Sequence, residues 1–280
     1  MTTLRTTVGM EFSAALGFLE RSKNAVKRFW AWEVVWFVYS LVSVMSIGYL
    51  ATGLDALGGG GHSAQIKRTQ LYLLAGSVLW SYLSLVFMEV AYAIGWERWE
   101  GTIEYTFMAP IKRVTHLLGV SCFAVLYGML RTALVVVVTA LAFHVDLSHA
   151  NLFSGAVVLA VATLPLIGMA VLIAVLPMLA PEKGEQMSTA LQGIMLLVSG
   201  VYYPISVLPT ALQWLGQVSP LTYTLDAIRR SLLDNASVGE LWRPLVVLLI
   251  IGAVLIPVAV RIFAAAERRA KRHGLLKRSG

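Results

Sequence analysis

Six long apolar stretches follow one another along the chain, at roughly 30–52, 71–95, 115–143, 152–180, 187–204 and 243–265. A bilayer hydrocarbon core about 30 Å thick is crossed by about 20 residues of α-helix. Each stretch is therefore expected to span a membrane. The fifth is the shortest, and Pro204 ends it. Composition agrees, with 58% hydrophobic and only 13% charged residues, against about 25% charged in soluble domains. A single cysteine, Cys122, lies inside an apolar run and excludes a disulfide framework. The expected fold is an all-α integral membrane protein with six transmembrane helices.

The segments outside the spans carry the charge. Residues 1–29 hold Arg5, Arg21, Lys23, Lys27 and Arg28 without a continuous apolar core or a small-residue cleavage site, so no cleavable signal is expected. Met10, Phe12, Leu16, Phe18, Leu19, Val26 and Phe29 alternate with polar positions there. That pattern fits an amphipathic helix lying in the membrane interface, the alternative being a plain basic tail. Counting Lys and Arg by loop, with both termini cytoplasmic, puts sixteen inside and five outside, as the positive-inside rule requires. The net charge of +7 thus sets orientation and is no sign of nucleic acid, since no groove of aromatic and basic residues accompanies it. Three parts result: a cytoplasmic amphipathic segment at 1–29, a six-helix domain at 30–265 and a basic cytoplasmic tail at 266–280.

Two loops stand out. Gly58-Gly59-Gly60-Gly61 lacks the following Lys-Ser/Thr of a phosphate-binding loop, so it reads as a linker and gives the chain no means of holding ATP. Residues 205–242 contain apolar pieces too short to span, broken by Pro209 and Pro220. Irregular backbone at membrane depth survives only where protein or water surrounds it. Two half-helices re-entering the outer leaflet satisfy that condition, as does a helical hairpin resting on the surface.

The residues able to do work are few. Glu97, Arg98, Glu100 and Glu104 form a charged block between the second and third spans. Gly101 lets the chain turn, Thr102 suits a helix N-cap, and Ile103–Met108 can form a short helix before Pro110. The three carboxylates are expected to face water or a partner's basic residues. Within the spans, Glu89 lies about two turns from the end of the second and Arg131 near the middle of the third. Ionisable residues at such depth are functional candidates, and these two either pair or line a translocation cavity. The histidines have no i,i+4 spacing for a helical metal site, and nothing suggests catalysis.

The pattern Glu97-Arg98-x-x-Gly101-Thr102-x-Glu104, with Pro110 beyond it, resembles the cytoplasmic coupling segment of type-2 ABC transporter permeases. Ser199-Gly200-Val201-Tyr202-Tyr203-Pro204-Ile205, then Leu208-Pro209, Pro220-Leu221-Thr222-Tyr223 and Asp226-Ala227-x-Arg229, are similar to the family's fifth span and re-entrant outer helices. The resemblance implies that Glu97, Arg98, Glu100, Gly101, Thr102 and Glu104, with Pro110, belong to a coupling helix docking on a separate ATPase. It places Gly200, Tyr202, Tyr203, Pro204 and Pro209 at an exit gate, with Pro220, Asp226 and Arg229 shaping the hairpin. It implies an exporter of a drug-like compound or lipid in a bacterial or archaeal cell membrane. Its partners would be two ATPase copies, which hold the ATP and magnesium, a second permease subunit (identical or different) and membrane lipids. A polysaccharide or lipid-linked glycan exporter fits the same motifs. An ion-coupled secondary transporter is the reading from another class, resting on Glu89 and Arg131.

Overall fold

The computed structural model describes residues 2–57, 63–109, 111, 113–145, 150–180 and 182–275. Gly58–Gly61 and Pro110 lie outside them. Among the described residues ten α-helices follow in chain order: α1 Thr2–Arg28, α2 Trp30–Leu57, α3 Ser63–Glu100, α4 Ile103–Met108, α5 Arg113–Phe143, α6 Leu152–Leu179, α7 Gly184–Val198, α8 Thr210–Val218, α9 Pro220–Leu233 and α10 Trp242–Arg272. The described residues contain no strand.

Five of these helices (α2, α3, α5, α6 and α10) are long and apolar enough to cross a membrane. The sequence led to an expectation of six. The difference lies in the segment 187–204: α7 ends at Val198, and its 15 residues rise only about 22 Å. Gly200 stops it, turning the chain with φ +69° in a region open to glycine and costly for other residues. Even so, α7 runs along much of α3. A Cβ at Gly95 would stand 2.7 Å from Glu185 at the start of α7, and one at Gly76 would stand 2.2 Å from the Val201 carbonyl just past its end. Those two glycines are separated by about 28 Å of helix.

Helix α6 is the centre of the bundle, packed against α3, α7, α9 and α10. Its contact with α10 depends on small residues: a Cβ added at Gly252 would sit 2.9 Å from Leu164 and 3.1 Å from the Pro165 nitrogen. Lipid offers no hydrophobic drive between helices, so such close approach is what holds them together. The core is apolar and closely buried, with Leu83, Phe87, Leu166, Ala170, Leu225 and Phe263 all at 1% exposure or less. The outer faces are apolar too: Leu118, Leu126, Leu130, Leu134, Val137 and Leu141 form an exposed stripe along α5. A stripe of that kind suits lipid and would be a liability in water.

The bundle has two distinct ends. At one, α3 finishes beside α1, α4 and the last residues of α6 and α10. At the other, Arg68 pairs with Asp234 at 2.9 Å, and the Asn151 N–H donates to the Ser231 carbonyl at 2.9 Å. Helix α10 continues past 265 to Arg272, so the basic tail begins as helix.

Candidate functional site

At the first end, α3 closes in a Schellman turn: the Thr102 N–H donates to the Glu97 carbonyl at 2.8 Å and the Gly101 N–H to that of Arg98 at 3.1 Å. Gly101 takes φ +74° there. Helix α4 follows over the residues the sequence indicated. Thr102 occupies its N-cap position, but the hydroxyl makes no cap bond. It accepts from Arg21 Nη2 at 3.0 Å instead.

Arg21 organises this turn. From the last third of α1 it also reaches Glu97 Oε1 at 2.7 Å and Glu100 Oε2 at 3.1 Å. Charge-assisted bonds of this length are the stronger kind. The three carboxylates therefore divide differently from the expectation that all face water or a partner. Glu97 is buried against the chain's own Arg21, with His116 Nε2 at 3.2 Å but outside hydrogen-bonding geometry. Only Glu104 is exposed and outside this clamp. Arg98 is buried as well, donating to the Pro177 carbonyl at 2.9 Å and the Leu275 carbonyl at 2.9 Å. It ties the end of α3 to the ends of α6 and α10. Burial pulls its guanidinium pKa below the usual value, and the Glu185 carboxylate opposes that.

Helix α4 itself has two faces. Ile103, Thr106 and Phe107 are buried, while Tyr105 and Met108 are 79% and 82% exposed. Tyr105 and Met108, three residues apart on one face, escaped the reading of the sequence. The i,i+4 pair Ile103 and Phe107 was the available signal, because it fixes the opposite face as outward.

A cavity of about 1240 Å³ opens above this turn, walled by α1, α2, α3 and α5 with Tyr202 at its far end. Along α3 its lining extends from Trp80 to Glu100, about 30 Å of helix. Glu89 and Arg131 both line it. Arg131, however, has Glu33 as its carboxylate neighbour, at 3.9 Å, and the Tyr127 hydroxyl donates to the same Glu33 oxygen. Among the described residues no ion pair joins Arg131 to Glu89. Glu33 was overlooked in the sequence, although an acid three residues into an apolar run is visible there.

The third cluster follows α7. Arg229 on α9 donates through Nη1 to the Tyr72 hydroxyl at 2.9 Å and the Gly200 carbonyl at 3.1 Å, and through Nη2 to the Val201 carbonyl. Its guanidinium carbon lies 3.5 Å from the Tyr72 ring centroid. One cation thus pins the turn after α7 onto α3. Tyr202 is carried into the cavity wall, while the Tyr203 hydroxyl returns to the Leu197 carbonyl at 2.7 Å. Pro204 precedes a 3-10 turn at Ile205–Val207, Pro209 caps α8, and Pro220 starts α9, where its missing N–H costs nothing. Asp226 makes no hydrogen bond to Arg229; its exposed carboxylate lies 4.0 Å from Arg230.

No group of three or more His, Cys, Asp or Glu is placed to hold a metal ion among the described residues. In comparisons with known proteins, the family model described as ABC-2 type transporter matches residues 18–233. A search of curated proteins returned no match.

Proposed function

The chain belongs to the ABC-2 type transporter family, and on that premise we propose that it is the permease subunit of an ATP-driven exporter of amphipathic compounds. The observation that carries this reading is α4. It is a short helix whose inner face is buried, whose outer face projects Glu104, Tyr105 and Met108, and whose root is clamped by Arg21. Such a knob suits docking into a cleft on a separate subunit. ATP and magnesium would be held there, and this chain would perform no chemistry.

One permease carries one such knob, so two copies of the ATPase call for a second permease, identical or different. Closure of the ATPases on ATP would draw the two α4 helices together. The Arg21 clamp would carry that motion into α1 and the cavity wall. Substrate would leave past the turn that Arg229 holds. We place α4 and both termini in the cytoplasm, on the loop charge count. An even number of crossings follows, and the run of α7 beside α3 supports counting it as the sixth. Helices α8 and α9 then form the re-entrant outer hairpin. Surrounding lipid would meet the apolar stripes of α2, α5 and α10.

Co-expression of the chain with its genomic neighbours, followed by a search for a co-purifying ABC ATPase, tests the reading. Stoichiometric capture, abolished by Glu104→Lys with Tyr105→Ala, is the expected result. Stable protein that captures no ATPase would overturn it and favour ion-coupled transport.

A further inference from the structure

Although the chain has a net charge of +7, its cavity wall is acidic. Glu20, Glu33, Glu89, Glu97 and Glu100 line it against Arg21, Arg28 and Arg131. Two of these three cations have carboxylate neighbours other than Glu89. Arg21 is held by Glu97 and Glu100 at the mouth, and Arg131 stands beside Glu33 at depth. Glu89 is left facing the cavity, with no hydrogen bond or ion pair within 4 Å among the described residues. The same wall holds five of the chain's eight tryptophans: Trp32, Trp36, Trp80, Trp96 and Trp99.

These features select a ligand. Indole faces attract a cation within about 6 Å of the ring centroid, more strongly when water is excluded. An anion would face a net excess of carboxylate. A neutral apolar compound would bury Glu89 without a partner, which is costly. We infer that the cavity binds an amphipathic organic cation, its apolar body against Trp36 and Trp80 and its positive centre at Glu89. That this ligand is the transported compound rests on the permease reading; the binding does not.

Tetraphenylphosphonium and tetraphenylborate, nearly the same shape with opposite charge, make the test. Full-length chain in a neutral detergent is titrated with each and followed by tryptophan quenching, with protein-free micelles subtracted. The expected result is saturable phosphonium binding, roughly tenfold or more tighter than borate, and a similar loss for Glu89→Gln. Borate binding as tight as phosphonium would overturn the inference. So would undiminished phosphonium binding by a folded Glu89→Gln chain. The comparison of the two ions needs no variant and stands if Glu89→Gln fails to fold. Displacement of bound phosphonium by short-chain phosphatidylcholine identifies a lipid headgroup as the natural cation, and lack of displacement identifies a free compound. ATPase capture is read separately. Charge preference without capture leaves the site and removes the permease reading, and capture without charge preference does the reverse.

Discussion

Two arginines do work at residue scale that their neighbours cannot replace. Arg21 satisfies Glu97, Glu100 and Thr102 at once, and Glu97 is the buried member. Arg21→Ala leaves that carboxylate without its closest cation, which costs about 2 kcal/mol for a buried acid whose partner is partly exposed. In a reconstituted complex, substrate-stimulated ATP turnover should fall several-fold while ATPase capture persists, since the exposed face of α4 is untouched. Arg229 behaves differently because it uses a flat fork. It bonds two carbonyls of the turn and lies against the Tyr72 ring. An ammonium cannot reproduce that geometry. Arg229→Lys should therefore lower thermal stability in detergent by about 1–3 kcal/mol, nearly as much as Arg229→Ala. A lysine variant as stable as the parent would show that charge alone suffices.

Elements were legible in the sequence where one physical signal dominated. The apolar runs gave α2, α3, α5, α6 and α10, and the Gly101-Thr102 break with Pro110 gave the bounds of α4. The end of α7 was misplaced because Pro204 drew attention, while the true stop is the left-handed turn at Gly200 four residues earlier. Composition alone cannot tell a glycine that turns from one that stays in a helix. Two substitutions in this element separate the cases. Gly200→Ala forces a side chain into φ +69° with Ile205 and the Tyr203 carbonyl 2.9 Å away and should cost about 1–2 kcal/mol. Gly193→Ala, within α7 and with nothing inside 4 Å, should be neutral or stabilising by up to about 1 kcal/mol. Denaturation of both variants in one detergent decides the matter. The pairing of Glu33 with Arg131 stayed hidden for another reason: it joins α2 to α5 across sequence that no local pattern connects.

For the whole molecule, parity is the sharpest constraint. Five long helices alone would put the two termini on opposite sides, and α7, counted as the sixth crossing proposed above, would restore them to one. A fluorescent reporter that matures only in the cytoplasm should glow when fused after the C-terminus, and alkaline phosphatase fused there should be inactive. The reverse pattern would remove α7 as a crossing. The global arrangement also gives weight to a small detail, the joint between α1 and α2. Only Phe29 separates them; its N–H still bonds the Ala25 carbonyl at 2.9 Å, and its ring meets Trp96 edge-on at 5.4 Å. A joint this short, braced on a third helix, has almost no slack. If α4 docks as proposed, the two helices would act as a bell crank with its pivot at Phe29. One arm is held by Arg21 beside α4, and the other carries Glu33 and Trp36 in the cavity wall. A small push on α4 would then arrive as a sideways swing deep in the membrane, with no hinge of its own required in the spans.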